Sequence, residues 1–316
     1  MKPHIHPGAF GALPEEFCDY KTASIAVLPV PYDGTSTWMI GSNRGPKALL
    51  DASANLELYD IETDLEVFRQ GIVTLDPVAC PEEPERMVSA VRERARTLLR
   101  DGKFIVGIGG EHTVSLGLVQ AYRELFANLS VLQFDAHADT RETYKGSRYN
   151  HACVMSRIGE ICPYVQVGIR SIDASELARL DPERTFFAHD VLGDPAIAHR
   201  IVDMLSEHVF LTIDLDVLDP SVMSSTGTPE PGGLDWYTLL GMIHAVVRGK
   251  TVVGMDVTEL LPNAANPAPD FLAAKLIYRT LSMVFSKKEE KAWTRTDSWP
   301  MPSSRLTSSL STPGRS

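Results

Sequence analysis

VLQFDAHADTRE, at residues 131–142, is the stretch that decides the fold, because an apolar run opens there directly into Asp135, His137 and Asp139. Alternate residues of a strand share a face, so an extended strand end points these three polar side chains in one direction. Carboxylates held close together in a poorly solvated site repel each other unless a cation neutralises them. Taken alone, the stretch predicts either a metal-binding rim or a polar loop that caps the next helix.

Two other apolar strands end in the same kinds of residue. The strand predicted at 104–108 leads through a Gly-rich turn to His112, which is placed either to bind a metal or to cap the following helix. The turn lacks the G-x-G-x-x-G spacing of a phosphate-binding loop, and Glu111 would repel a phosphate. The strand predicted at 209–213 ends in DLDVLDP, in which Asp214 and Asp216 share one face. The six candidate metal ligands are therefore His112, Asp135, His137, Asp139, Asp214 and Asp216.

Predicted strands and helices alternate along the chain. Further strands are expected from about residue 24 and at 164–169, 185–187 and 251–255, and helices at 81–100, 175–180, 195–207 and 267–285, as well as after Pro46, from His151 and after Asp235. This alternation favours a parallel sheet covered by helices on both faces, in which the carboxyl ends of the strands lie along one edge. The long polar loop before Pro46 is either a plain connection or a wall of a binding cleft.

The composition sets limits on the class of protein. With 316 residues, 44% of them hydrophobic and 22% charged, the chain is expected to be globular. It has no run long enough to span a bilayer and no basic and apolar leader, which predicts a soluble cytoplasmic protein without a membrane partner. The net charge of −11 argues against a nucleic-acid partner and is compatible with a cationic small substrate. The four scattered cysteines are expected to be reduced thiols.

The composition changes at residue 287. From there to residue 316 the chain is rich in Ser, Thr, Pro and Lys with little periodicity, which predicts a disordered tail. No linker divides the preceding part. We therefore expect one domain over residues 1–286.

The candidate ligands favour a pair of metal ions over a structural zinc. Four carboxylates and two imidazoles without a thiolate suit hard or borderline divalent ions such as Mn²⁺. Two such ions, about 3.5–4 Å apart, can share a carboxylate and make a water molecule nucleophilic at neutral pH. The reaction class that this set predicts is hydrolysis.

Three sequence blocks resemble the signatures of the ureohydrolases, the family of arginase and agmatinase. GGEH at 109–112, DAHADTRE at 135–142 and DLDVLDP at 214–220 occur in the expected order, and GTPEPGG at 227–233 and DVTELLP at 256–262 match as well. The resemblance covers roughly residues 25–281. It implies an α/β fold, a single-domain three-layer αβα arrangement with a mainly parallel eight-stranded sheet, and an assembly of three or six copies.

The resemblance also implies two Mn²⁺ ions per subunit. One ion would be held by His112, Asp135, Asp139 and Asp214, and the other by His137, Asp135, Asp214 and Asp216. Asp135 and Asp214 would bridge the two ions.

Catalytic roles would fall to Asp139, His151 and Glu259. Glu259 would pair with the substrate guanidinium through two parallel charged hydrogen bonds. His151, which could equally be an ordinary helix-start residue, matches the family's proton shuttle to the leaving amine. Thr228, within GTPEPGG, would join His151 and Glu259 in binding the substrate.

The loop SRYNH at 147–151 departs from the arginase pattern Ser-Gly-Asn-x-His, because Tyr149 occupies the Asn position. Since that Asn holds the substrate α-carboxylate, its loss favours agmatine, which would be cleaved to putrescine and urea in polyamine biosynthesis. Glu142 either favours the ammonium end of agmatine or is a solvated loop residue. The alternatives are a guanidinobutyrase, with Arg141 or Arg148 facing the far end of the substrate, an arginase, or a non-catalytic metal-binding homologue.

Overall fold

The computed structural model describes residues 8–194 and 196–286, which form a sheet of eight strands with helices packed against it. The strands are β1 (Ile25–Val30), β2 (Ile72–Thr74), β3 (Phe104–Gly109), β4 (Leu129–Phe134), β5 (Tyr164–Ile169), β6 (Thr185–Phe187), β7 (His208–Asp214) and β8 (Thr251–Thr258). The α-helices are α1 (Gly45–Ser53), α2 (Pro84–Arg100), α3 (Val114–Leu125), α4 (Val154–Gly159), α5 (Ala188–Gly193), α6 (Ile197–Met204), α7 (Trp236–Gly249) and α8 (Ala268–Phe285). None of the helices in these two ranges is both long and apolar enough to cross a membrane.

The strand order is β2-β1-β3-β8-β7-β4-β5-β6, and neighbouring strands pair in parallel. The order places β3, β8, β7 and β4 side by side in the centre, although they are far apart in sequence. Because parallel strands end at the same edge, the segments that follow these four strands meet there.

Alternate residues of the strands supply two apolar cores, one on each face of the sheet. Ile25 and Val27 of β1 belong to the core that contains side chains of α1, α7 and α8. Ala26 and Leu28 belong to the opposite core, with side chains of α2 and α3. This confirms the predicted three-layer arrangement and explains why the central strands are apolar at nearly every position.

Three predicted elements, two helices and the last strand, differ from the structure in extent or type, and one short strand was not predicted. The helix expected at 195–207 is confined to Ile197–Met204, the segment expected as a helix at 175–180 is a 3₁₀ helix at Ala174–Arg179, and the three-residue β2 was not predicted at all. The last strand runs on to Thr258, so Asp256, expected after the strand, lies inside it, fully buried and in register with Thr212 of β7. Asp256 therefore lies within β8 and not at the carboxyl end of the strand, where the other site residues lie.

The predicted tail, residues 287–316, lies outside the described residues. Truncation after Ser286 should leave the fold intact, because α8 ends at Phe285, whose ring packs edge-on against Phe104 at 5.4 Å between centroids. We expect the melting temperature to change by less than about 3 °C, which corresponds to less than about 1 kcal/mol. An insoluble product, or one that unfolds without cooperativity, would contradict this.

Candidate metal centre and substrate cleft

The four central strands deliver the predicted site residues to one edge of the sheet. Asp135 directly follows β4, β7 ends on Asp214, and Glu259 directly follows β8. His112 is the third residue after β3. Gly110, between β3 and His112, cannot carry a side chain, because a Cβ atom there would overlap the carbonyl oxygen of Tyr32.

A first cluster forms around the buried imidazole of His112. Its Nδ1 atom lies 3.0 Å from Asp135 Oδ2 and 3.1 Å from Asp139 Oδ2. Its other ring nitrogen, Nε2, lies 2.8 Å from the hydroxyl oxygen of Thr212. The Thr212 contact sets the ring so that Nδ1 faces the carboxylates, which is how outer partners orient ligating histidines.

A second cluster forms around His137 and shares Asp135 with the first. His137 Nδ1 lies 2.9 Å from Asp216 Oδ2 and 3.7 Å from Asp135 Oδ1. The ligand atoms of each cluster lie within 4.8 Å of one another, and both sets could hold a metal ion. Asp214 belongs to neither set, although its Oδ2 atom lies 3.6 Å from His112 Nδ1.

The buried carboxylates of the two clusters favour the binding of a positive charge. Burial and the neighbouring Asp135 raise the pKa of the Asp139 carboxyl group to about 7. Burial opposes a charged imidazole at His112, yet hydrogen bonds with Asp135 and Asp139 raise its pKa well above the ordinary value. Protons and divalent cations compete for such sites, so this donor set of carboxylates and imidazoles fits divalent ions.

Two of the site residues have left-handed backbone conformations. Asp139 has φ of 54° and Glu259 has φ of 65°. Such conformations cost about 1 kcal/mol or more in residues other than glycine and persist where surrounding contacts hold them. The Asp139 carbonyl accepts a hydrogen bond from Met155 N, and Glu259 Oε1 accepts one from His112 N at 2.8 Å. The second bond ties Glu259 directly to the first cluster.

A cavity of about 310 Å³ opens over the second cluster. The predicted residues in its lining are His137, Asp139, His151, Asp214, Asp216, Thr228 and Glu259. The loop before Pro46 supplies a wall through residues 36–39, which include the exposed Trp38. Of the two interpretations of that loop, its position along the cavity favours the wall of a cleft over a plain connection.

His151 begins a 3₁₀ helix, His151–Cys153, at the side of this cavity. Burial and the charges of His137 and His112 lower the pKa of its imidazole to about 4. His151 is therefore a neutral side chain at neutral pH.

Known proteins resemble this chain over most of its length. Residues 23–282 match the family model described as "Arginase family". The chain belongs to the arginase family. It is 40% identical over 276 residues to a protein of Thermus thermophilus named N(1)-aminopropylagmatine ureohydrolase, with 85% of this chain and 93% of that protein covered. It is 31% identical to the agmatinase of Pyrococcus horikoshii, covering 84% and 93% of the two chains.

The fold of this ureohydrolase agrees with a solved structure. The agmatine ureohydrolase of Thermoplasma volcanium superposes with a TM-score of 0.77 at 30% identity, and the match covers 84% of this chain and 91% of that one. The arginase-like fold expected from the sequence blocks is confirmed.

Glu142 lies outside the cavity lining and is paired with arginines. Its carboxylate pairs at 3.0 Å with each of Arg148, Arg157 and Arg179, and it is absent from the residues that line the cavity. Arg148 is likewise occupied, by Glu142 and Glu160. Of the two arginines considered for the far end of the substrate, Arg141 alone is among the lining residues.

The sequence interpretation missed two carboxylates of the cavity wall, Asp173 and Glu176. Glu176 accepts hydrogen bonds from the backbone and hydroxyl groups of Thr140, whereas the exposed Asp173 keeps one carboxylate oxygen clear of the Ser175 bonds that its Oδ1 accepts. Both follow β5, the neighbour of β4, so the signal was a further polar segment after a predicted strand.

Proposed function

We propose that this ureohydrolase holds two Mn²⁺ ions and hydrolyses the guanidinium group of N(1)-aminopropylagmatine, with agmatine as the second candidate substrate. The observation that carries the proposal is the pair of His/Asp clusters that share Asp135 and open, with Glu259, into one cavity. The Thermus relative supports the aminopropyl substrate, and the Pyrococcus relative and the Tyr149 substitution support agmatine. Each would yield urea and an amine of polyamine biosynthesis.

The proposed ligands divide between the two clusters. His112 and Asp139 would hold one ion, His137 and Asp216 the other, and Asp135 both. Asp214 would complete the site from the end of β7. When bound, the two ions supply a water molecule activated at neutral pH and a counter-charge for the transition state.

Glu259 would orient the substrate. A planar guanidinium and a carboxylate make two parallel charged hydrogen bonds, which fixes the carbon atom that the water attacks. Burial and the charge of Glu111 raise the pKa of Glu259 well above its ordinary value. A guanidinium cation reverses that effect, so Glu259 is an ion in the substrate complex.

His151 would transfer protons. Hydrolysis breaks the bond between the guanidino carbon and the amine nitrogen, and both protons of the attacking water finish on that leaving amine. A neutral imidazole can accept a proton and pass it on, which suits His151 with its lowered pKa.

The outer wall of the cavity suits a cationic chain. Asp173 offers a carboxylate there, and the aromatic rings of Trp38 and Tyr144 can cover methylene groups or an ammonium group.

We expect Asp173→Asn to raise KM for N(1)-aminopropylagmatine by about two- to fivefold, the range of an exposed ion pair, with little change in kcat. Steady-state kinetics of urea release measures this. Butylguanidine, which lacks the second cation, should show no change, and Asp190→Asn, outside the cleft, is the matched control; an equal effect on butylguanidine would contradict the role.

The proposed function is tested by urea release from the full-length chain loaded with manganese. We expect kcat/KM to fall in the order N(1)-aminopropylagmatine, agmatine, 4-guanidinobutyrate, arginine, because the carboxylate of the last two substrates would face Asp173 and Glu176, and Arg141 in the same wall already pairs with Glu176. Arginine as the best substrate would contradict the assignment. Absence of turnover with every guanidino compound would support a non-catalytic homologue instead. The cytoplasmic location and the assembly of three or six copies stay predictions.

A further inference from the structure

Glu111 is a fully buried carboxylate that the proposed chemistry does not use. Its two oxygens accept four hydrogen bonds: from the backbone N–H groups of Thr35 and Ser36, and from the hydroxyl groups of Thr35 and Thr113 at 2.6 Å each. Four donors are the full complement of an ionised carboxylate. Glu111 therefore connects residues 33–41, part of the loop before Pro46, to the segment that follows β3.

The Thr35 hydroxyl group joins this anchor to His151. Its oxygen lies 2.6 Å from Glu111 Oε1, 3.1 Å from the His151 backbone nitrogen and 3.1 Å from the His151 ring nitrogen Nδ1. A hydroxyl group has one proton to donate and two lone pairs to accept with. When Glu111 is ionised the hydroxyl proton goes to it, so the oxygen accepts from the His151 backbone nitrogen and is left to accept from the ring nitrogen Nδ1 as well.

This arrangement decides which ring nitrogen of His151 carries the proton. If Nδ1 donates to Thr35, the neutral imidazole has its proton on Nδ1, and Nε2 has a lone pair. If Glu111 only held the loop in place, its hydrogen bonds to the loop backbone would be enough. The contact between the Thr35 hydroxyl group and the His151 ring would then not be needed. The ring contact is what links the loop to proton transfer.

We propose that Thr35, oriented by Glu111, is a positioning residue that holds the His151 imidazole in the Nδ1–H tautomer, so that Nε2 is free to accept a proton in the cleft. The proposal rests on the proposed function for its kinetic consequence. Its structural part, the tautomer, stands independently of turnover.

Thr35→Val and Thr35→Ser form the matched pair of variants. Valine keeps the shape and the backbone N–H bond to Glu111 but loses the hydroxyl group. Serine keeps the hydroxyl group and the backbone N–H bond. Thr35→Val removes all three contacts of the hydroxyl group, of which the bond to the His151 ring is the one that bears on proton transfer. We expect kcat to fall roughly tenfold in Thr35→Val, the size of that one bond, with KM and bound manganese unchanged and Thr35→Ser close to the unmodified chain. In the His151→Asn background Thr35→Val should have no further effect on kcat.

Nitrogen-15 NMR of histidine-labelled full-length chain without manganese tests the tautomer directly, with His151→Asn identifying the signal. We expect Nδ1 to be protonated in the unmodified chain and in Thr35→Ser, and that preference to be lost in Thr35→Val. An Nε2–H tautomer in the unmodified chain would overturn the proposal, as would a Thr35→Val variant with unchanged tautomer and kcat. If the unmodified chain released no urea, the proposed function would fail while the NMR result still decided the positioning role.

Discussion

Replacing Asp135 with alanine should abolish urea release together with metal binding. Asp135 is the residue that both His/Asp clusters share, and it is completely buried. Its position is fixed by hydrogen bonds from Gln133 Nε2 at 2.7 Å and from the backbone N–H of His137 at 2.6 Å. Since the loss of an outer partner alone commonly costs 10–100-fold, we expect activity to fall by more than about 100-fold.

Asp216→Ala should lose part of the bound manganese rather than all of it. It removes a ligand from the second cluster alone, so about one manganese ion per chain should remain, against none or a weakly held ion in Asp135→Ala. Metal analysis after desalting measures this. Asp203→Ala, an exposed residue of α6, is the control, and a full complement of manganese in Asp135→Ala would contradict the shared-ligand role.

Glu259→Gln should weaken binding of the substrate guanidinium without loss of the metal ions. Glutamine keeps the oxygen that accepts the hydrogen bond from His112 N, but it lacks the charge and the second acceptor that a guanidinium needs. Hydrogen bonds to charged groups contribute about 1.5–3 kcal/mol each, so kcat/KM should fall by about 100-fold or more.

The controls for Glu259→Gln separate binding from folding. Bound manganese and the melting temperature should match those of the unmodified chain, because Glu259 belongs to neither cluster. Loss of metal in Glu259→Gln would show that this residue supports the metal site rather than the substrate.

Much of the site was predictable because its residues stand at the ends of recognisable strands. Asp135 and Asp214 each terminate an apolar run, and parallel pairing brings such ends to one edge whatever their separation in the chain. The register of individual side chains was less predictable. Asp214, like Asp135, was expected to bridge the two metal ions; in the structure Asp135 belongs to both clusters, whereas Asp214 belongs to neither and has its Oδ2 atom 3.6 Å from His112 Nδ1.

Partners from distant segments account for the remaining differences. Glu142 lies in a signature block, yet Arg157 and Arg179 neutralise it, and their approach depends on the packing of α4 and of the 3₁₀ helix Ala174–Arg179. Asp173 caps that same 3₁₀ helix, and this structural role obscured the signal of a polar segment after a predicted strand. His151 was recognised by its motif, whereas its contact with Thr35 spans 116 residues.

The central claim, two metal ions at the carboxyl ends of the central strands, is tested most directly by anomalous diffraction at the manganese edge from crystals of the manganese-loaded chain. We expect two peaks, one between His112 and Asp139 and one between His137 and Asp216, with Asp135 in contact with both. A single peak, or peaks away from these residues, would contradict it.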